Sequence, residues 1–329
     1  MLSETYRQLI ISSTNAKNIL SISSVQSLWS GYGEIIRVTL SGGELNSAIL
    51  KYVNLPEEKN HPRGWNTDFS HQRKIRSYEV EINWYEHWSN QCDESCRVAR
   101  YYVTKKSDNE YAVLLEDLDA AGYHLRFSSL DKNGAKRCLR WLANFHGRFM
   151  SSVNEDLWPV GTYWHLGTRP DEFSAMEAGA LKDSAARIDS LLNECKYKTL
   201  VHGDAKVANF CFLQDLCDVA MVDFQYVGSG CGMKDVAYFM GSCLSELECE
   251  QWQDELLAYY FSELNGALER HAIQIDKQAL EKEWRKMFPV AWADFYRFLS
   301  GWSPAHHKIN NYMRGLTEDV IDKINNTTN

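Results

Sequence analysis

The stretch Leu200-Val201-His202-Gly203-Asp204-Ala205-Lys206-Val207-Ala208-Asn209-Phe210 decides the reading of this chain, together with Met221-Val222-Asp223-Phe224-Gln225 just downstream. Its polar residues are framed by largely apolar runs at Thr199–Val201, Phe210–Phe212 and Val219–Val222, which read as short buried strands. Two carboxylates and one amide therefore sit in loops held between strands. A lone H-x-D-x-x-x-x-N arises by chance in about one chain in fifty of this length, and adding apolar-apolar-Asp-Phe makes it about a hundredfold rarer.

Transfer of a phosphoryl group from ATP needs such a set. One carboxylate must orient and deprotonate the attacking hydroxyl, and a second carboxylate with an amide oxygen must hold Mg²⁺ against the phosphates. Asp204 fits the first role, and Asn209 and Asp223 fit the second. Asn supplies an oxygen ligand without adding negative charge beside a triphosphate. The plain alternative is that His202 and Asp204 organise a turn and Asp223 caps a neighbouring element.

Upstream, the first third reads as strands. Val25–Ser30 leads into the turn Gly31-Tyr32-Gly33, and Ile36, Val38 and Leu40 then alternate with Arg37 and Thr39. Ser47–Val53 follows, with Lys51 on the same face as Ile49 and Val53, so that its ammonium must snorkel outward or meet an anion. Residues 54–76 read as a polar insertion ending in the start of a helix, Ser77–Ser89 as a helix, and Arg97–Tyr102 and Tyr111–Leu115 as two further strands. After Leu118 the texture turns helical, with helices expected over Asn133–Met150, Phe173–Glu194, Ser245–His271 and Lys277–Ser300. The helical period of Asn133–Met150 holds if His146 is buried. The tail Thr317–Asn329 reads as a polar segment that frays. The expected fold is α+β: a small antiparallel sheet with one helix in residues 1–115, then a larger, mainly helical part in residues 116–329.

Composition bounds the function. The 329 residues are 44% hydrophobic and 24% charged, with a net charge of −9. Those are values of a globular protein, and the acidity disfavours non-specific nucleic-acid binding. Acidity suits a cationic substrate and solubility equally. The N-terminus lacks the basic-then-apolar pattern of a signal peptide and no apolar run spans a bilayer, so a cytoplasmic protein without a membrane partner is expected. Nine scattered cysteines, with Cys92 and Cys96 lacking a matching ligand pair, read as reduced thiols rather than a zinc site.

The segments HGDAKVAN and VDFQ resemble the catalytic and metal segments of the aminoglycoside phosphotransferase and choline kinase superfamily, which has a protein-kinase-like two-lobed fold. The GYG turn and the AILKYV, EINWY, LLEDL and LANFHG segments resemble the same superfamily in the same order. The insertion HPRGWNTDFSHQRKIRSY resembles most its ecdysteroid-kinase-like, choline/ethanolamine-kinase-like branch. The resemblance implies that Gly31 and Gly33 shape a phosphate loop and that Lys51 holds the α- and β-phosphates. It implies that Glu81 fixes Lys51, with Glu79 as the alternative, since the two point about 200° apart on a helix. Leu115, Glu116 and Leu118 would form the adenine-reading hinge, Lys206 would contact the γ-phosphate, and Asp235 would bond the catalytic-loop backbone. Asp-Phe-Gln in place of Asp-Phe-Gly points to a constitutively formed metal site.

On the acceptor side, Trp292, Asp294, Tyr296 and Trp302 offer an aromatic cage with a carboxylate for an amine; the same spacing suits a helix packing its aromatic face into the core, and the lobe's apolar content suits a sterol-like alcohol equally. The leading expectation is a small-molecule O-kinase using ATP and Mg²⁺. A catalytically inactive binding module is the alternative from another class, and a protein kinase is disfavoured by the lack of Asp-Phe-Gly and Ala-Pro-Glu segments.

Overall fold

A computed structural model describes residues 2–28, 31–54, 68–107 and 110–327. Ser30 and most of the polar insertion, residues 55–67, lie outside the described residues. The chain divides into two compact units. One comprises residues 1–93, 97–125 and 211–222, and the other residues 94–96, 126–210 and 223–329. The division is thus interleaved, where the sequence suggests a single cut after residue 115.

The first unit is built on a five-stranded antiparallel sheet in the order β1-β2-β3-β5-β4. Its strands are β1 (Asn18–Ser27), β2 (Gly33–Ser41), β3 (Ser47–Asn54), β4 (Tyr101–Lys106) and β5 (Glu110–Glu116). The alternation of β2 buries Ile36, Val38 and Leu40, as its period-2 pattern requires. Helix α1 (Glu4–Thr14) covers that face with Tyr6 and Ile10, packed with Leu50 and Leu114. On the opposite face, α2 (Asp68–Asn83) sets Tyr78 and Ile82 against Val53 and Tyr111. Beyond Asn83 the helix loosens into a π-turn over Trp84–Trp88 and a 3₁₀ turn over Ser89–Gln91. Gly33 opens β2 at φ +144°, and a Cβ there would lie 2.0 Å from the Tyr52 carbonyl oxygen, so only glycine fits. The first strand begins seven residues earlier than its apolar core suggests, and α1 is absent from the expectation; both depend on partners distant in sequence.

The second unit is helical around a small two-stranded sheet of β6 (Thr199–Val201) and β9 (Gly228–Gly230). Between them in sequence run β7 (Phe210–Phe212) and β8 (Val219–Met221), which pair with each other and, from residue 211 on, belong to the first unit. Helix α3 (Lys132–Arg148) is capped by Asp131, whose carboxylate accepts from Gly134 N at 2.7 Å. It buries Trp141, Phe145 and His146. The single helix expected over Phe173–Glu194 is instead three: α4 (Pro170–Ala175), α5 (Ala180–Asp183) and α6 (Ala185–Asn193). Met176 turns extended and Gly179 sits at φ +155°, while Lys182 Nζ donates to the freed carbonyls of Ser174 (3.1 Å) and Met176 (2.7 Å).

Helices α7 (Met233–Cys243), α8 (Glu246–Arg270), α9 (Lys277–Trp302) and α10 (Asn311–Thr327) complete the unit. A capping box between Ser245 and Glu248 starts α8. The tail read as frayed is helical through residue 327, because Met313, Thr317, Val320 and Ile321 form a buried stripe and Asn310 caps Met313 N at 2.9 Å. All nine cysteines are free thiols, and no helix among the described residues is long and apolar enough to cross a membrane.

Candidate active site

The loop after β6 carries the decisive residues and is fixed from beneath by one buried carboxylate. Asp235, fully buried on α7, accepts from His202 N at 2.5 Å, from Gly203 N at 3.0 Å, and contacts His146 Nε2 at 3.1 Å. This is the backbone-holding contact anticipated for Asp235. His146 is buried, as the helical period of α3 requires, and its other nitrogen meets Tyr260 Oη at 2.7 Å. Gly203 turns at φ +79°, where a Cβ would lie 2.2 Å from the Tyr226 carbonyl oxygen.

Asp204 follows, 7% exposed. Its Oδ2 accepts from Lys206 Nζ at 2.8 Å and from Asn209 Nδ2 at 3.2 Å. The same Asn209 amide donates to the Asp204 backbone carbonyl at 2.8 Å. Oδ1 of Asp204 is buried without a hydrogen-bond partner of good geometry, although the Tyr238 hydroxyl interacts with this carboxylate and is raised in pKa by burial first and by the carboxylate as well. One carboxylate oxygen is therefore anchored and the other is left to accept a proton. Tyr163 donates to Tyr238 Oη at 3.2 Å, and both phenols are raised in pKa, by burial first and by the Asp204 charge next in Tyr163's case. Burial pulls the Lys206 ammonium down, but Asp204 and Asp223 outweigh it and raise its pKa, so Lys206 is charged at neutral pH.

Asp223 and Asn209 suit a magnesium ion. Because its Nδ2 is committed to Asp204, Asn209 presents an amide oxygen. Asp223 lies at φ +73°, in the left-handed region that costs a non-glycine residue about 1 kcal/mol or more. It is close enough to Lys206 to raise the lysine's pKa. Among the described residues no group of three or more His, Cys, Asp or Glu side chains could enclose a metal by itself. Asp223 and Asn209 would offer a Mg²⁺ ion one carboxylate and one amide oxygen.

In the sheet-bearing unit, Lys51 is 6% exposed and donates to Glu81 Oε1 at 2.8 Å, with Oε2 at 2.7 Å. Glu79 faces Arg76 (3.4 Å) and Lys106 (3.6 Å) instead. Gly31 lies at φ +73° with open space where a Cβ would be. Leu115 pairs with Ile49 at the end of β5, and Leu118 is buried. The Glu116 carboxylate takes both its oxygens to Arg97 Nη2 at 2.7 Å and accepts from Arg100 N at 2.9 Å.

The proposed amine cage does not assemble. Asp294 is buried and its carboxylate is taken by Arg297 Nε at 2.9 Å and Trp164 Nε1 at 3.1 Å. Trp292 packs in the core against Phe288 and Tyr312, while Trp302 stacks on Phe298. Tyr296 is half-buried, its backbone carbonyl accepting from Ser300 Oγ at 2.9 Å. The i,i+3 spacing of Asp294 and Arg297 was the available sign that this carboxylate already had a cation. Three residues beside Asp204 escape the sequence reading: Tyr163, Tyr238 and Lys308. No local pattern marks them, since they come from a loop, a helix and a polar connection.

Residues 163–274, about a third of the chain, match the profile of the ecdysteroid kinase-like family. No curated protein sequence matches the chain significantly. Among solved structures, a microcompartment-associated aminopropanol kinase matches at 15% identity and a TM-score of 0.53, covering 96% of this chain and 94% of its own. Ethanolamine kinase of Plasmodium vivax matches at 12% identity and a TM-score of 0.52, covering 95% and 86%. The α+β, protein-kinase-like fold and the family resemblance expected from the sequence are borne out, the family by the segment the profile covers and the fold over nearly the whole chain.

Proposed function

We propose that this chain, whose fold is that of small-molecule kinases, transfers the γ-phosphoryl group of ATP to the hydroxyl of a small molecule. The observation that carries the reading is Asp204: Oδ2 held by Lys206 and Asn209, Oδ1 buried without a hydrogen-bond partner of good geometry. A buried acceptor without a well-placed donor is costly to maintain in a mere binding module. It is the group a general base needs when a hydroxyl proton must be received as oxygen attacks phosphorus.

The residues divide the work. Asp204 Oδ1 orients the acceptor O–H and takes its proton. Lys206, kept charged by Asp204 and Asp223, offsets the charge that spreads over the phosphoryl oxygens. Asn209 and Asp223 hold Mg²⁺, which when bound neutralises the phosphates. Lys51, fixed by Glu81, pairs with the nucleotide phosphates, with Gly31 and Gly33 allowing close backbone approach and Leu115 to Leu118 supplying backbone groups to the base. The protein works in the cytoplasm, where ATP is available and its thiols stay reduced.

The test is ADP release with Mg-ATP over a panel of alcohols: sugars, nucleosides, aminoglycosides, sterols, hydroxy acids and, since the two kinases of like fold are named for them, aminopropanol and ethanolamine. Acceptor-dependent ADP release that stops on chelating Mg²⁺ is expected. Nucleotide binding without ADP release from any acceptor points to an inactive binder, and phosphate appearing on a generic protein points to a protein kinase.

A further inference from the structure

Lys308 has no assigned task, yet it stands beside the base. It lies in the connection between α9 and α10, with its ammonium 5.0 Å from the Tyr238 ring centroid and 5.9 Å from that of Phe295. Those rings meet edge to face at 4.8 Å, and Trp164 packs 4.8 Å from Tyr238. This is an aromatic seat for a cation, and the chain's own lysine fills it.

The seat holds an ammonium with no counter-charge at ion-pair distance: among the described residues no carboxylate lies that close to Lys308. Asp204 acts on it electrostatically, but Asp204 is already paired with Lys206 at 2.8 Å. Asp294, on the helix that runs into this connection, belongs to Arg297, and Asp223 acts on Lys206. The consequence shows in the ammonium itself: burial first, with Lys206 adding, brings its pKa down to about 8 against the opposing pull of Asp204 and Cys243. A half-buried cation near the base with no carboxylate at ion-pair distance is a place for an anion.

Resting on the phosphotransfer reading, we propose that Lys308 anchors the acceptor by an anionic group, so that the substrate is an alcohol bearing a carboxylate, phosphate or sulfate and not an amino alcohol. An amine entering here would meet the aromatic faces already taken and two ammonium groups, Lys206 and Lys308, in repulsion. An anion of the acceptor would instead give Lys308 the partner it lacks, while the substrate hydroxyl faces Asp204 Oδ1.

The experiment uses the full chain, and matched triads of hydroxy acid, uncharged diol and amino alcohol on one carbon skeleton, assayed for ADP release with Mg-ATP. Wild type should favour each hydroxy acid over its amino partner by about tenfold or more in kcat/KM. Lys308→Met should remove that preference through KM, and Lys308→Glu should reverse it. An unchanged preference in Lys308→Met, or an amine preferred by wild type, overturns the inference. Saturation-transfer NMR with 4-hydroxybenzoate and tetramethylammonium as probes reads the seat without turnover. Wild type should bind the benzoate, and Lys308→Met should lose it about tenfold while admitting tetramethylammonium. Equal binding of both probes by the two proteins overturns the inference. Absence of ADP release with this binding pattern intact counts against phosphotransfer alone.

Discussion

The Asn209 side-chain amide is tied to Asp204 twice, at 2.8 Å to its backbone carbonyl and at 3.2 Å to Oδ2. The residue read as a metal ligand therefore also sets the direction of the residue read as the base. Asn209→Ala should lower kcat about 10²- to 10³-fold, because both an oxygen ligand and the base's orientation are lost. Asn209→Asp keeps a ligand oxygen but replaces the donor with a second carboxylate against Asp204. Steady-state kinetics across a Mg²⁺ titration separate the two: Asn209→Asp should retain Mg²⁺ response with depressed kcat. Wild-type kcat in either variant removes Asn209 from the site.

Gly203 is the tightest point of the loop. At φ +79°, with a Cβ position 2.2 Å from the Tyr226 carbonyl oxygen, an alanine has neither the backbone freedom nor the space. Gly203→Ala should cost about 2 kcal/mol or more and displace the Asp235 hydrogen bonds to His202 and Gly203. Urea denaturation checks the stability, and a midpoint equal to wild type contradicts the packing described.

The loop from His202 to Asn209 was legible because everything that shapes it is local: buried strands on both sides and polar residues at fixed offsets. The choice between Glu79 and Glu81 was not, since helical geometry says only that they point apart; the sheet decides, giving Glu81 to Lys51 and Glu79 to Arg76 and Lys106. Helix α1 was missed because its short apolar pattern is satisfied only against the sheet, where Tyr6 and Ile10 pack with Leu50 and Leu114. The break at Met176–Gly179 depends on Lys182 capping carbonyls across the gap. Lys308 carries no signal at all: a single lysine in a polar connection becomes notable only when Tyr238 and Phe295 are brought beneath it.

Lys51 and Glu81 are both buried, so Lys51→Met removes the cation 2.7 Å from a buried carboxylate. Lys51→Met should destabilise the protein by about 3 kcal/mol or more and weaken nucleotide binding. The double variant Lys51→Met/Glu81→Leu should recover much of the stability and none of the nucleotide affinity. Calorimetry alongside nucleotide titration reads both. Recovery of affinity in the double variant contradicts the phosphate role of Lys51.

The lowered pKa of Lys308 has a sign. The unfolded chain holds this proton up to about 10.5 and the folded chain only to about 8, so between those values the unfolded state binds more protons and stability rises with pH. The penalty of burying the ammonium is complete below pH 8 and fades above it. Lys308→Met should therefore be more stable than wild type at pH 7, by about 1–2 kcal/mol after allowing for partial exposure, and the gain should shrink towards pH 10. A stability difference that does not change across this window contradicts the burial of the charge.

The most direct measurement is ³¹P NMR of Mg-ATP with an accepted alcohol, comparing wild type with Asp204→Asn. Asparagine keeps the size and one side-chain oxygen but has no basic carboxylate to receive the proton. The account predicts phosphoryl transfer to the alcohol by wild type and a loss of about 10³-fold or more in the variant, with nucleotide affinity nearly unchanged. Transfer by Asp204→Asn at the wild-type rate would contradict it.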